Sequence, residues 1–378
     1  MARITSAPTA IKIESDSSLA GESRAISSNS FRVYAGGGLN NRLPHPTSRI
    51  PCDATEDGQS AFHTIVDWCG KGVYDPTTRR VQWIGKGTGN ASGGYVYNVL
   101  AIYDEIKDSW SAIRGFKSPE QSTATFGIGH TYDNNCIDIK GRRHYKKQFN
   151  DVAGSSGKFY VYNLDSGTFE SGISGPSGDP GSDSFGPADF LPQRGAQGSI
   201  WYAHGTQGSS RTMISEYSVA NRSWSTLAPQ GTFPAFPRYM GSGGVMSYNP
   251  RAFGGMGGVL LGGASEIVYL IRADTTSRNL ATTVTAGAGA PIAVGFGFGG
   301  SHLCRDPSGS GWLLFVGAGG LNRVYHFAGT NWTPRASLPL ELPGNPFIVI
   351  PIDDYGVVWV IKSRPSNVNE PRAWLYKP

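Results

Sequence analysis

Two segments of the chain place a histidine and a cysteine six residues apart, His63 with Cys69 and His130 with Cys136. Side chains alternate between the faces of a β-strand, so residues an even number apart share one face. Imidazole and thiolate are ligands that zinc prefers. Zinc motifs bring ligands close in pairs, however, whereas six residues of strand span about 20 Å. We therefore interpret both segments as repeated strand positions and predict no metal and no cofactor.

The densest positive charge lies in residues 140–147. Basic residues with aromatic neighbours can bind nucleic acid or an acidic protein surface. The alternative is a solvated turn whose lysine stems cover apolar neighbours. A net charge of +5 permits an anionic partner without requiring one, so nucleic acid is not favoured. The candidate partner-binding residues are four of the five cations of this run and two acids of a later polar connection: Arg142, Arg143, Lys146, Lys147, Asp179 and Asp183.

No pair of carboxylates is marked by a motif as the acid and base that glycoside hydrolysis needs. We therefore predict a protein that is not an enzyme.

An aromatic pattern recurs along the chain and indicates the elements that position these residues. Tyr103, Tyr162, Tyr217 and Tyr325 are each followed by Trp or Phe seven residues later, and Tyr269 and Tyr376 continue the series. The interval of roughly 50–60 residues is typical of a repeat architecture. Short β segments at this interval predict one four-stranded propeller blade per repeat.

The pattern resembles the kelch family of β-propellers. In that family a Gly-Gly pair ends one strand and is followed by a Tyr and then a Trp. Here Gly262-Gly263 precedes Tyr269, and Gly319-Gly320 precedes Tyr325; blades two and six lack the pair. The resemblance covers residues 31–378. It implies an all-β, six-bladed propeller of four-stranded antiparallel blades, and it carries little about function because propellers host many tasks.

Two catalytic propeller patterns are close to the sequence without matching it. Tyr325-His326 is similar to the copper-binding Tyr-His of galactose oxidase, but Tyr325 is one of the repeat tyrosines. The turn from Asn163 to Phe169 is similar in composition to the sialidase box, but its residues stand in a different register. Neither pattern supports an enzymatic prediction.

Each end of the chain contains half of one repeat. Phe31–Tyr34 has the aromatic half of a repeat, and Trp374–Tyr376 has the tyrosine half. An open blade edge leaves backbone donors and acceptors unpaired. We therefore predict that Phe31–Tyr34 is the outer strand of the last blade and closes the ring. Residues 1–25 are predicted to form an N-terminal arm, and residues 26–378 a single propeller domain.

Turn and strand chemistry follows the same scheme in most blades. In blade one the four strands are predicted at 63–74, 81–85, 99–103 and from Trp110; in blade three the first two are at 189–191 and 199–204. Asp or Asn begins the turns at positions 75, 138, 249, 306 and 353, because these side chains bond the backbone two residues on.

The longest connections, including 35–61, 171–188 and 228–241, are predicted to leave one face. Trp110, Trp224 and Trp332 are expected to be buried between blades.

Composition narrows the class of protein. The chain has 52 glycines and 16% charged residues, which suits many short strands joined by turns. Its four cysteines show no CxxC pair, which indicates free thiols and a reducing compartment. We find no membrane span and no secretory signal in the sequence.

These features favour a structural or binding protein of a virus particle, made in the host cytoplasm. The prediction is a bacteriophage tail component of the hub, nozzle or fibre-associated kind that assembles through its loops. Its predicted partners are other virion proteins, further copies of itself and a host-surface glycan. The alternatives are a cytosolic kelch interaction module and a secreted carbohydrate-active or oxidase propeller.

Overall fold

The computed structural model describes part of the 378 residues. The described residues are 19–33, 70–85, 99–107, 109–114, 133–147, 158–177, 186–205, 212–233, 244–262, 268–286, 301–318, 321–340, 342, 347–362 and 372–378.

These residues form 24 β-strands and a few short helical segments. The strands are β1 (Ser30–Val33), β2 (Val73–Asp75), β3 (Arg80–Gly85), β4 (Val99–Asp104), β5 (Ser109–Arg114), β6 (Asn135–Asp138), β7 (Arg143–Lys147), β8 (Lys158–Asn163), β9 (Thr168–Ser174), β10 (Ala188–Leu191), β11 (Ser199–Gly205), β12 (Thr212–Ser218), β13 (Ser223–Phe233), β14 (Val245–Asn249), β15 (Gly258–Gly262), β16 (Val268–Arg272), β17 (Val284–Ala286), β18 (Ser301–Arg305), β19 (Trp312–Ala318), β20 (Leu321–Phe327), β21 (Trp332–Ser337), β22 (Ile348–Ile352), β23 (Val357–Lys362) and β24 (Arg372–Lys377). The helices are α1 (Leu19–Ala25), α2 (Ala252–Gly255), α3 (Leu280–Thr283) and a 3-10 helix (Asp353–Tyr355). None of the helices in the described residues is long and apolar enough to span a membrane.

The strands form six antiparallel sheets of four strands each, as predicted. Blades 1 to 5 are β2–β5, β6–β9, β10–β13, β14–β17 and β18–β21, and blade 6 is β22, β23, β24 and β1. The innermost strand of every blade contacts the innermost strands of both neighbouring blades, and β22 contacts β2. The protein is therefore a closed six-bladed β-propeller.

The ring closes through the two chain ends. β1 pairs with β24, and Phe31 lies opposite Tyr376. The two rings pack with centroids 4.7 Å apart, and Phe31 also contacts Phe315 of blade 5 at 6.4 Å. The pairing confirms the predicted closure, because Phe31 takes the place that a tryptophan or phenylalanine has beside the tyrosine of another blade.

One face of the ring, which we call the turn face, carries the connections from the first strand of a blade to the second and from the third to the fourth. In blades 1 and 2 each of these connections is a tight turn of four residues. Asp75 accepts a hydrogen bond from the backbone N–H of Thr77 at 3.1 Å, and Asp306 accepts one from Ser308 at 2.8 Å. Asn249 accepts one from Arg251 at 2.9 Å. These contacts confirm the predicted turn chemistry.

The opposite face, which we call the connection face, is where second strands join third strands and where each blade joins the next. Two predicted connections are shorter than we expected. Residues 171–174 belong to β9, and residues 228–233 belong to β13. The connection 35–61 lies outside the described residues.

The apolar core consists of clusters that lie between neighbouring blades. One cluster joins blades 6 and 1 through Trp359, Trp83 and Ile350, and each of the other five blade-to-blade interfaces has its own cluster. Leu19 of α1 is fully buried in the cluster between blades 6 and 1. Residues 1–18 of the predicted arm lie outside the described residues, and the domain boundary at residue 25 stays a prediction.

The repeat phase is correct for four tyrosines and wrong for two. Tyr103, Tyr162, Tyr217 and Tyr376 each precede the last residue of a third strand. In blade 4 this position is taken by Ile271. In blade 5 the residue paired with the fourth-strand tryptophan, Trp332, is Phe327, the last residue of the strand; Ile271 and Phe327 are both fully buried.

The two remaining tyrosines, Tyr269 and Tyr325, lie two residues earlier on the same strands and are only partly buried. An offset of two preserves the sheet face, so the spacing still looked regular.

The buried tryptophans are not those that the repeat predicted. Trp224 and Trp332 are only half-buried, and the side chain of Trp110 lies outside the described residues. Trp83, Trp201 and Trp359 are fully buried instead, and all three are on second strands. A second strand is paired on both edges and covered on both faces, whereas the fourth strand is the outer edge of the blade.

Candidate functional site

The candidate site is the axis of the ring. A cavity of about 150 Å³ lies there and is lined by all six innermost strands. These strands are paired on one edge only, so their second edge turns unpaired backbone N–H and C=O groups towards the axis. The chemistry of the site depends on which side chains meet those groups.

Lys71 crosses the axis at its end nearest the connection face. Its ammonium Nζ donates hydrogen bonds to the carbonyl oxygens of Ala188, at 3.1 Å, and Met246, at 3.0 Å. It also forms an ion pair of 2.9 Å with the carboxylate of Asp189. The three N–H bonds of the ammonium therefore have three oxygen partners, in blades 3 and 4, while the backbone of Lys71 pairs with Val349 of blade 6.

Lys71 keeps its charge although it is buried. Burial acts to lower the pKa of the ammonium, but the charges of Asp189 and Asp133 outweigh burial and raise the pKa above its ordinary value. Lys362 is a useful contrast. It is also buried and donates to the carbonyl of Leu342, and burial lowers its pKa to about 8. The neighbouring carboxylates account for the difference.

The carboxylates of Asp133 and Asp189 accept hydrogen bonds from backbone N–H groups at the inner edge of β14, which no strand of the described residues covers. Asp133 accepts a hydrogen bond from the backbone N–H of Met246, and Asp189 accepts one from Tyr248 at 2.8 Å. Because Met246 and Tyr248 are two residues apart, both amides point to the same edge of the strand. Burial raises the pKa of Asp133 to about 7, despite the opposing effects of Lys71 and the Met246 amide.

The raised pKa of Asp133 predicts a pH-dependent stability. The folded state binds this proton more tightly than the unfolded chain, in which the pKa is about 4. Asp133 therefore favours folding most below about pH 4, and this contribution is lost as the pH rises through about 7. We expect the free energy of unfolding of the natural protein, relative to Asp133→Asn, to fall between these pH values. Urea titrations of both proteins at several pH values measure the difference, and parallel pH profiles would contradict the prediction.

A neutral chain of hydrogen bonds joins blades 1 and 2 beside the axis. The ring nitrogens of His144 lie 3.0 Å from the amide nitrogen of Gln82 and 2.8 Å from the amide oxygen of Asn135. Asn135 in turn donates to the carbonyl of Lys71 at 3.0 Å. Burial lowers the pKa of His144 to about 3, so the imidazole is neutral and links the two blades without charge.

Ion pairs on the turn face also join neighbouring blades. Arg142 of blade 2 binds both carboxylate oxygens of Asp75 of blade 1, at 2.7 and 2.8 Å. Arg305 of blade 5 binds Asp353 of blade 6 at 3.0 Å. The bidentate contact of Arg142 fixes orientation as well as charge.

A third blade-to-blade contact on the turn face links blades 6 and 1. The hydroxyl of Tyr355 lies 2.7 and 2.9 Å from the two carboxylate oxygens of Glu105, which Arg79 also binds at 2.6 Å. These three contacts of the turn face thus link neighbouring blades.

The predicted basic run is largely internal. Lys146 and Lys147 are fully buried, and the ammonium of Lys147 lies 5.4 Å from the ring centre of Tyr202. Successive residues of β7 point to opposite faces of the sheet, and both faces are covered, so neither lysine is exposed for the predicted surface contact.

The other predicted binding residues have different positions. Arg142 is engaged with Asp75, and Arg143 binds Glu170 at 2.9 Å. Both arginines retain some exposure, so partner binding by them stays a prediction. Asp179 and Asp183 lie outside the described residues.

The predicted histidine and cysteine segments fall mostly outside the described residues, which include neither His63, Cys69 nor His130. Cys136 lines the axial cavity, as does Cys304, and burial raises the pKa of both thiols. Among the residues that the structure describes, no group of three or more His, Cys, Asp or Glu side chains is placed to hold a metal.

In the two near-matches to catalytic patterns, the side chains make contacts that stabilise the fold. His326 lies 3.2 Å from the carboxylate of Asp306. The side-chain oxygen of Asn163 accepts hydrogen bonds from the backbone N–H groups of Asp165 and Ser166, at 3.0 and 2.9 Å. The first contact joins the third strand of blade 5 to the turn that follows its first strand, and the second is a turn cap.

Sequence reasoning missed the three charged residues at the axis. Lys71, Asp133 and Asp189 belong to no motif, and each comes from a different blade. The one local signal is Gly72, because a Cβ there would lie 2.7 Å from the side chain of Ile350. That close approach indicates that the chain at Lys71 is pressed against blade 6.

Comparison with known proteins shows the fold alone. No protein-family model matches the chain, and no curated protein matches it. Among solved structures it resembles an α-L-arabinofuranosidase from Fusarium graminearum, with a TM-score of 0.55, 8% identity, and coverage of 83% of this chain and 97% of that one. An α-L-arabinanase from Penicillium chrysogenum gives 0.52, 12%, 83% and 98%. A lectin bound to α-methyl fucoside gives 0.52, 12%, 84% and 96%. The likeness fits the propeller architecture; the kelch type stays a prediction.

Proposed function

We propose that this protein is a non-enzymatic binding and assembly scaffold that serves in a virus particle, as a component of a bacteriophage tail. The observation that carries the proposal is the use of polar groups along the axis. Lys71, Asp133 and Asp189 all bond to other blades. A site for acid–base chemistry needs a group that is within reach of a substrate, whereas these groups hold the ring together.

The two faces of the ring differ in the length of their connections, which favours different roles for them. Turns such as 76–79 and 139–142 on the turn face have only four residues. Connections on the other face, such as 34–72 and 115–134, are far longer than the strands need. Long connections on a rigid scaffold are where binding residues concentrate. We propose that the connection face contacts neighbouring particle proteins, which include other copies of this chain.

A low proportion of charge and a high proportion of glycine support the virion assignment over a cytosolic kelch module. The similar solved structures raise a second candidate, carbohydrate binding, since one is a lectin and two act on arabinose-containing sugars by their names. Identities of 8–12% leave this as an alternative outcome to be tested.

Labelling of particles tests the proposal. Antibodies raised against the purified protein are applied to phage particles isolated from the source culture on a density gradient. We expect the protein to sediment with the particles and gold label to lie on their tails. Antibodies first absorbed with the purified protein are the control. Protein found only in cell extract or in particle-free medium would contradict the proposal, and selective binding on a glycan array without particle labelling would favour a lectin.

Variants supplied during infection test which face binds. Replacing residues 178–185 by a short Gly-Ser link is expected to reduce incorporation into particles. Lys107→Ser is the matched change on the turn face, because Lys107 is 70% exposed and its ion pair with Asp104 is long, at 4.0 Å. We expect it to leave incorporation unchanged. Equal incorporation of both variants would contradict binding at this connection.

A further inference from the structure

Oxygen atoms from neighbouring blades surround the Lys71 ammonium, and we call them the cage. The carbonyl oxygens of Ala188 and Met246 and a carboxylate oxygen of Asp189 converge on one point at the axis. The carboxyl group of Asp133 also lies nearby and, when it is ionised, raises the pKa of the Lys71 ammonium. These oxygens belong to blades 2, 3 and 4, while the lysine comes from blade 1.

The dimensions of the cage fit a monovalent ion. The three oxygens lie 2.9–3.1 Å from the nitrogen that occupies the centre. Calcium takes six to eight oxygens at about 2.3–2.6 Å and magnesium needs about 2.0–2.1 Å, so both would require the blades to move inwards. Ammonium and potassium ions are close in size. We propose that the axis of the ring is a monovalent-cation site that the chain fills with its own Lys71 ammonium.

The carboxylates are what distinguish this site from an ordinary buried lysine. Lys362 is as buried as Lys71 and its ammonium donates to a carbonyl oxygen, that of Leu342, at 2.6 Å. Its pKa is nevertheless lowered, whereas the pKa of Lys71 is raised. The charges of the neighbouring carboxylates therefore oppose the effect of burial at Lys71.

A free ion has a route to the cage. The axial cavity is bounded by Lys71 at one end, and its other lining residues include Ile139, Arg305 and Asp353 on the turn face. Ile139 is 42% exposed, which places that end of the cavity next to solvent. Removing the lysine stem joins the cage to this cavity.

Chemical rescue of a truncated lysine tests the proposal. Lys71→Ala is purified and its thermal midpoint is measured in chloride salts of potassium, ammonium, sodium, calcium and choline at equal ionic strength. We expect potassium and ammonium to raise the midpoint progressively with concentration, and choline, which is too large, to leave it unchanged. The natural protein and Lys362→Ala should show no difference between potassium and choline.

A second variant identifies the cage oxygens. Lys71→Ala with Asp189→Asn removes the paired carboxylate, and its midpoint should no longer respond to potassium. If Lys71→Ala fails to fold in choline, refolding yield in potassium against choline replaces the midpoint as the measurement. Equal behaviour in all salts, failure to fold in every salt, or a larger response to calcium than to potassium would each overturn the proposal.

Discussion

Deleting residues 1–36 is expected to lower the free energy of unfolding by about 5 kcal/mol or more. The deletion removes β1, whose four residues pair with β24, and each ladder hydrogen bond contributes about 1 kcal/mol. It also removes the contacts of Phe31 with Tyr376 and Phe315, and aromatic pairs contribute about 0.5–1.5 kcal/mol beyond burial. Urea titration followed by tryptophan fluorescence measures the change.

Two further variants test whether the loss of stability comes from the loss of ring closure. Deleting only residues 1–18 should leave the free energy of unfolding of the monomer nearly unchanged. A permuted chain that carries residues 26–34 after Pro378, through a short glycine linker, should recover most of the lost stability because β1 can again pair with β24. A deletion of residues 1–36 that unfolds like the full chain would contradict the assigned closure.

Replacing Lys71 by methionine is expected to cost about 3–5 kcal/mol, the range for removing one partner of a buried ion pair. Methionine keeps the length of the stem but leaves Asp189 without its counter-charge and the Ala188 and Met246 carbonyls without their donor. The loss would be the largest for any single lysine in the described residues. Thermal and urea unfolding at neutral pH measure it.

Matched changes separate the ion pair from simple loss of burial. Lys362→Met removes a buried lysine of similar exposure whose pKa is already lowered, and we expect a much smaller loss. Combining Lys71→Met with Asp189→Asn should restore part of the stability, because the unpaired charge of Asp189 is removed as well. Equal losses for the two lysines, or strictly additive effects in the double variant, would show that the pair does not hold the axis.

The closing strand was predictable because both halves of the repeat are local patterns. Phe31 and Tyr376 stand near the two ends of the chain, and the aromatic of the first matches the missing partner of the second. The phase in blades 4 and 5 was not predictable in the same way. Ile271 and Phe327 hold the equivalent positions, and a tyrosine two residues earlier on the same face imitates the repeat.

The axial site could not be predicted because its partners are brought together only by closing the ring. Lys71 bonds to residues 117 and 175 positions further along the chain. The same limit explains the basic run, in which the partner of Arg142 is Asp75 in the preceding blade. A sequence shows a cluster of charge, but it does not show which charges are already paired within the fold.

Hydrogen exchange at two backbone amides tests most directly whether the axis holds the blades together. The N–H groups of Met246 and Tyr248 point to the free edge of β14 and donate to Asp133 and Asp189. We predict that both exchange as slowly as amides within the blade ladders in the natural protein, and become selectively faster in Lys71→Met. Fast exchange of these two amides in the natural protein, beside protected ladder amides, would contradict the account.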